Sequence, residues 1–236
     1  MDLSVVIPAY NEAQRLGSTL EHLLAYLEGR GASFEVLVVD DGSGDATAEV
    51  AAAFVPRGVR VLRLEPNRGK GAALKAGVLA SRGARVLLTD ADLSTPIEDL
   101  PRLESRLPEA AVVLGSRALA TSRITRRQPL YRELMGKGFN LLVRLAGVGG
   151  VRDTQCGFKL LDGDAARALF PELTVERFAY DVELVWLARR RGHRVVEEGV
   201  RWADSPDSRV SPLTDSLRML WDLVRLRLRR GGRPAS

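Results

Sequence analysis

The stretch Val86-Leu87-Leu88-Thr89-Asp90-Ala91-Asp92 decides the fold. A short, uninterrupted apolar run reads as a strand covered on both faces, as in a parallel sheet. It runs into two aspartates one residue apart. In open α/β sheets ligands bind beyond the carboxyl ends of the strands, so these carboxylates stand where a ligand would sit. On a chain leaving a strand, that spacing can aim both side chains at one point. Two hard oxygens then suit Mg²⁺ or Mn²⁺, with water and phosphate completing the shell. The same residues also fit an Asx turn or a helix N-cap before Pro96.

Working outward, further apolar runs predict strands at 3–8, 34–40, 59–64, 84–90 and 111–115. Helical patterns lie between them near 12–29, 45–54, 69–82 and 96–107. Strands alternating with helices make βαβ units and a mostly parallel sheet. The second half is less regular. Its pattern predicts a helix at 127–146, a strand near 155–161, a helix near 180–191, a strand near 193–202 and a final helix at 213–230. The chain reads as one α/β domain over 1–211, with 212–236 as an amphipathic annex.

Two other strand ends are polar as well. The first strand closes on Pro8-Ala9-Tyr10-Asn11-Glu12 and the second on Asp40-Asp41-Gly42-Ser43. Asp41 can accept from a ribose hydroxyl or a base N–H, or can form a turn before Gly42. Glu12 can cap its own helix. Asn67-Arg68-Gly69-Lys70-Gly71 opens a helix, where Lys70 can meet a phosphate. It is not a Walker P-loop, and no Gly-x-Gly-x-x-Gly follows the first strand, which disfavours a dinucleotide dehydrogenase.

Composition narrows the classes further. The chain has 236 residues, 45% hydrophobic and 28% charged, with a formal net charge of +5. No run approaches the ~18 apolar residues of a membrane span. The N-terminus enters a strand directly, without a signal-peptide pattern, so the expected location is cytoplasmic. Cys156 alone excludes an intrachain disulfide framework, and His22 and His193 alone exclude most zinc-enzyme arrangements. Six arginines and one aspartate fall in 218–236, so the basic balance belongs to the tail. A second cluster comprises Arg117, Arg123, Arg126, Arg127 and Arg132. In the final helix Leu213, Leu217, Leu220, Trp221, Val224 and Leu228 form one stripe opposite Arg218, Arg225 and Arg229. Such a helix lies on a surface: a lipid headgroup layer, this protein's own sheet or a second subunit. Oligomeric state stays open. Nothing in the sequence resembles a nucleic-acid-binding motif.

In order along the chain, Pro8 to Glu12, Val39 to Ser43, Asn67 to Gly71, Asp90 to Asp92 and Gly115-Ser116-Arg117 resemble the nucleotide-sugar domain of the family 2 glycosyltransferases, with the Rossmann-like GT-A fold. Asp153-Thr154-Gln155-Cys156-Gly157-Phe158-Lys159 is similar to the polyprenyl-phosphate branch. Phe178 to Leu184, together with Val200-Arg201-Trp202 and Ser208-Arg209, resembles its dolichyl-phosphate β-glucosyltransferases. The resemblance implies a role for each matching position. Pro8, Ala9, Tyr10, Glu12, Val39 and Asp41 would line the nucleoside pocket. Asp90 and Asp92 would hold Mg²⁺ or Mn²⁺ on the diphosphate, with Ala91 contacting by its backbone and Lys70 assisting. Arg117 and Arg132 would meet the acceptor phosphate and Arg209 the donor, while Asp153 and Gln155 would lie beside the sugar. The implied partners are a nucleotide sugar, UDP-glucose first, and a polyprenyl or dolichyl phosphate, with peripheral contact at the inner face of the cell membrane. The alternatives are transfer to a soluble hydroxyl acceptor, for which Asp153 is the nearest general base, and a non-catalytic binding module. The sequence departs from the pattern at Ser94, where mannosyl members tend to carry Gln, at Gly199, where Pro is common, and at Asp207, where Gly is common.

Overall fold

The computed structural model describes residues 1–126, 128, 138 and 149–204. Its centre is a seven-stranded sheet. In chain order the strands are β1 (Leu3–Ala9), β2 (Phe34–Asp40), β3 (Val59–Arg63), β4 (Arg85–Leu88), β5 (Val112–Ser116), β6 (Arg123–Arg126), β7 (Lys159–Asp162), β8 (Val195–Gly199) and β9 (Arg201–Ala203). The sheet order is β3-β2-β1-β4-β7-β5-β8, and β6 and β9 form a separate parallel pair. Within the large sheet only β7 runs antiparallel, wedged between β4 and β5.

Alternation along the strands divides the core between two faces. Leu3, Val5 and Ile7 of β1 point to one face, where α1 (Ala13–Glu28) packs. Leu16, Leu20, Leu23, Leu24 and Leu27 recur at the three-and-four spacing of one helical stripe and are buried against that face. Each such burial is worth about 2 kcal/mol relative to exposure. Val6 points the other way, into the cluster formed with α3 (Lys70–Ala80) and α6 (Tyr180–Arg190). The short helices α2 (Thr47–Ala52), α4 (Leu100–Glu104) and α5 (Gly163–Leu169) complete the layers.

The expected α/β class and mostly parallel sheet are what the chain forms. Three local readings need correction. Residues 155–158 are not strand, and β7 begins only at Lys159. The single strand expected over 193–202 is two, belonging to different sheets. The chain crosses between them at Val200, directly after Gly199, where a Cβ would stand 2.2 Å from Thr121 Oγ1, so a side chain at Gly199 is excluded. Helix α5 was not foreseen, although Asp162 caps it by accepting from the amides of Asp164 and Ala165. The expected helices at 127–146 and 213–230, and the boundary at 211, lie outside the described residues.

Candidate functional site

A cavity of about 430 Å³ opens at the carboxyl ends of β1, β2 and β4. Two loops there are tied together. Asn11, left-handed at φ 54°, accepts through Oδ1 from Gly44 N (2.9 Å), and Ser43 Oγ accepts from Asn11 N (2.9 Å). Thr47 Oγ1 accepts from Glu12 N at 2.7 Å. The β1–α1 and β2–α2 turns therefore form one rim. Pro8, Ala9, Tyr10 and Glu12 line the cavity from the first turn and Asp41 from the second. The Asp41 carboxylate accepts from the amides of Arg68 (2.9 Å) and Gly69 (2.7 Å) and from Asn67 Nδ2 (2.9 Å). Burial pushes its pKa above the ordinary value despite those amides.

The turn after β4 carries the two aspartates. Leu93 adopts φ 45°, Leu93 N donates to Asp90 O, and Ser94 N donates to Asp92 Oδ1 at 2.9 Å. A leucine in the left-handed region costs about 1–2 kcal/mol, so the turn is held by its surroundings. One holding contact is Thr19 Oγ1 donating to Ala91 O at 2.6 Å. Asp90, Ala91 and Asp92 all line the cavity. The turn reading and the ligand-site reading of this motif are thus compatible.

Positive charge already meets both carboxylates. Lys70 Nζ, at the start of α3, is 2.5 Å from Asp90 Oδ1. Arg15 pairs with Glu12 and approaches Asp92 Oδ2 at 3.9 Å. Burial alone would raise Asp90; the charges of Lys70, Lys159 and Arg117 hold it below the usual carboxylate range. Lys70 is correspondingly raised by Asp90 against its own burial.

Two hard carboxylates facing one cavity fit a divalent cation. Gly157 supports that fit. A Cβ there would lie 1.9 Å from Asp90 Oδ2, so only glycine leaves room for this carboxylate. Beside it Lys159, wholly buried, donates to Cys156 O and pairs with Asp181 at 2.6 Å.

Arg117 and Asp153 lie outside the lining of the cavity. They form a bidentate pair, Nε to Oδ2 at 2.7 Å and Nη2 to Oδ1 at 2.8 Å, and Arg117 N also donates to Oδ2 at 2.9 Å. Arg117 stacks 5.3 Å from the Trp202 ring centroid. Burial would raise Asp153, but the Arg117 charge and hydrogen bonds hold it below its ordinary value. Arg117 is raised by Asp153. Asp153 therefore orients Arg117, and both its oxygens are engaged, which is the wrong state for a general base. Gln155 N donates to Asp153 Oδ1, and Gln155 also lies outside the lining. Val39 departs from expectation: its side chain is wholly buried in the core. Arg132 and Arg209 lie outside the described residues. Cys156 is buried, with its thiol pushed up, as an inert packing residue.

The sequence reading gives no site role to Arg15, Gly157, Arg177 or Phe178, although Gly157 and Phe178 stand in motifs that it quotes. Arg15 follows Glu12 by three residues, a spacing that brings helix neighbours together. The others depend on long-range packing. No helix among the described residues is long and apolar enough to cross a membrane.

Comparison with known proteins agrees with this geometry. The chain is 41% identical over 245 residues to a dolichyl-phosphate β-glucosyltransferase of Drosophila melanogaster, covering 97% of this chain and 75% of the relative. It is 40% identical to that of Homo sapiens, with 96% and 75% covered. Glucosyl-3-phosphoglycerate synthase of Mycobacterium tuberculosis, crystallised with Mn²⁺, UDP-glucose and phosphoglyceric acid, superposes with a TM-score of 0.70. It is 22% identical, covering 100% of this chain and 81% of that one, so it speaks to the fold. The model for glycosyl transferase family 2 matches residues 4–170, a span that contains every residue placed at the cavity except Arg177 and Phe178. With its strand-end carboxylates gathered at the mouth of a GT-A sheet, this chain belongs to glycosyl transferase family 2.

Proposed function

We propose that the protein transfers glucose from UDP-glucose to a polyprenyl phosphate with inversion at the anomeric carbon. The observation that carries this reading is the convergence of Tyr10, Asp41, Lys70, Asp90 and Asp92 on one cavity, with the Arg117 fork beyond it. The relatives named for dolichyl phosphate and glucose support the two substrates.

The nucleoside would lie along Pro8, Tyr10 and Asp41 and the diphosphate toward Lys70. Asp90 and Asp92 would hold Mg²⁺ or Mn²⁺, which supplies Lewis-acid stabilisation of the charge gathering on the leaving diphosphate. Lys70 adds a second cation at that charge. The acceptor phosphate oxygen forms the new bond to the anomeric carbon as the bond to the diphosphate breaks. That oxygen is anionic at neutral pH, so it needs no proton removed. Its difficulty is repulsion, since two unit anions ~4 Å apart repel by about 4 kcal/mol at an effective dielectric of ~20. Arg117 offsets this. Its Nε and Nη2 are fixed on Asp153, leaving Nη1 to bond the acceptor phosphate. A lipid acceptor puts the reaction at a membrane surface.

The test is incubation with UDP-[³H]glucose, Mg²⁺ and a polyprenyl phosphate. Label entering the organic phase is expected. Label only in an aqueous glycoside would move the acceptor to a soluble hydroxyl, and binding without turnover would refute the enzyme reading.

A further inference from the structure

Lys159 is the only buried basic side chain among the described residues, and the transfer step gives it nothing to do. It lies outside the lining of the cavity, at the start of β7 between Leu88 and Leu114. Its ammonium pairs at 2.6 Å with Asp181, in the first turn of α6. The Tyr180 ring faces it, 5.7 Å from Nζ to the centroid. Stability does not account for such a pair. Desolvating two charges is costly, and an apolar pair of the same volume often holds a fold as well or better.

What the pair does hold is a turn. Cys156 precedes β7, so its carbonyl has no place in the ladder, and Lys159 Nζ donates to it. Two residues on, Phe158 O accepts from Gly115 N of β5 at 2.8 Å. Gly157 is thus clamped between two fixed carbonyls. It stands against Asp90, where a Cβ would lie 1.9 Å from Oδ2 and 2.8 Å from Oδ1. Lys70 holds Oδ1 from the other side, at 2.5 Å. The two holds differ in kind. Lys70 lines the cavity, where a diphosphate would compete for its ammonium, whereas Gly157 lies outside the lining and stays.

We propose that Lys159, braced by Asp181, positions Asp90 for its cation: it fixes the Cys156 carbonyl, which sets Gly157 against Oδ2 and keeps the carboxylate turned into the cavity. Lys159 touches neither cation nor substrate and acts through the turn. The assignment rests on the reading of Asp90 as a ligand of Mg²⁺ or Mn²⁺ and deepens it. The sign of the effect separates position from charge. As a bare charge, Lys159 opposes a cation at Asp90, so its removal would tighten binding. As a positioning residue, its removal loosens binding.

Mn²⁺ binding to the full chain saturated with UDP, followed by the EPR signal of free Mn²⁺, tests this. The proteins compared are the wild type, Lys159→Met and the double variant Lys159→Met with Asp181→Asn. Lys159→Met strands the Asp181 charge and should melt lower, while the double variant leaves no unpaired charge and should recover part of that loss. Both should bind Mn²⁺ at least about tenfold more weakly than the wild type. UDP affinity measured in EDTA should change less than about twofold, since the nucleoside side of the cavity is untouched. Mn²⁺ affinity unchanged or raised in either variant would overturn the proposal. So would its recovery in the double variant in step with the melting temperature, which would make the pair structural only. An equal loss of UDP affinity in EDTA would mean a site disrupted as a whole and would overturn it too. If Lys159→Met does not fold, the double variant decides; if neither folds, the pair serves stability and the proposal falls. A wild type that binds UDP but no Mn²⁺ would overturn the metal reading along with it.

Discussion

The two halves of the site are built differently. On the donor side, each carboxylate sits where a parallel strand ends, and neighbouring amides, loops and cations hold it. Asp41 is fixed by the β3–α3 turn, Asp92 by its own Asx turn and Asp90 by Lys70. On the acceptor side one side chain, Arg117, is fixed by one partner, Asp153, contributed by the segment before the antiparallel strand β7. A cavity made from strand ends is preformed by the sheet, whereas a cation aimed by a single carboxylate is only as good as that pair. The donor half should therefore fail through chemistry and the acceptor half through stability and acceptor affinity.

The sharpest division comes from the strand-end aspartates. Asp90→Ala or Asp92→Ala should lower kcat by about a thousandfold or more, with the fold retained by circular dichroism. Near-normal turnover would remove the donor half from the chemistry. Asp153→Ala leaves the Arg117 charge without its partner and should cost about 3 kcal/mol in urea unfolding. The sign with pH follows from its depressed carboxyl. That stability is present above the unfolded pKa of about 3.9 and is lost as pH falls through the lower folded value, so the variant should show a flatter acid limb. An unchanged acid limb would mean the pair is not formed in solution. Gly157→Ala presses a methyl group on Asp90 and should reduce kcat about 10- to 100-fold, with acceptor KM unmoved. A rise in acceptor KM instead would blur the two halves. Smallest is Arg117→Lys, which keeps the charge but loses the fork; acceptor KM should rise about tenfold while UDP affinity stays constant.

Legibility in the sequence followed the same division. The strands β1, β2 and β4 were readable because a strand buried on both faces is a continuous apolar run, and their polar ends then named Tyr10, Asp41, Asp90 and Asp92. Helix α1 was readable from its leucine stripe. What could not be read depends on pairing across distance. Lys159 is a charged residue wholly buried at the start of β7, matched in register to Leu88 and Leu114, and no local pattern announces such a position. Gly157 falls inside the strand expected near 155–161, and nothing local explains a glycine there, because its reason lies in Asp90, far away in sequence. The glycine at 199 has the same kind of origin, in Thr121. Val39 shows the converse limit: a strand-end motif places the backbone at the site, while alternation decides where the side chain goes.

The ammonium of Lys70 lying against Asp90 has one more consequence. Protein dialysed against a chelator does not bury a bare anion there, since an internal counter-charge neutralises it. Exhaustive stripping of divalent ions should silence turnover yet leave the melting temperature within about a degree, and restoring the ions should recover activity without any refolding delay.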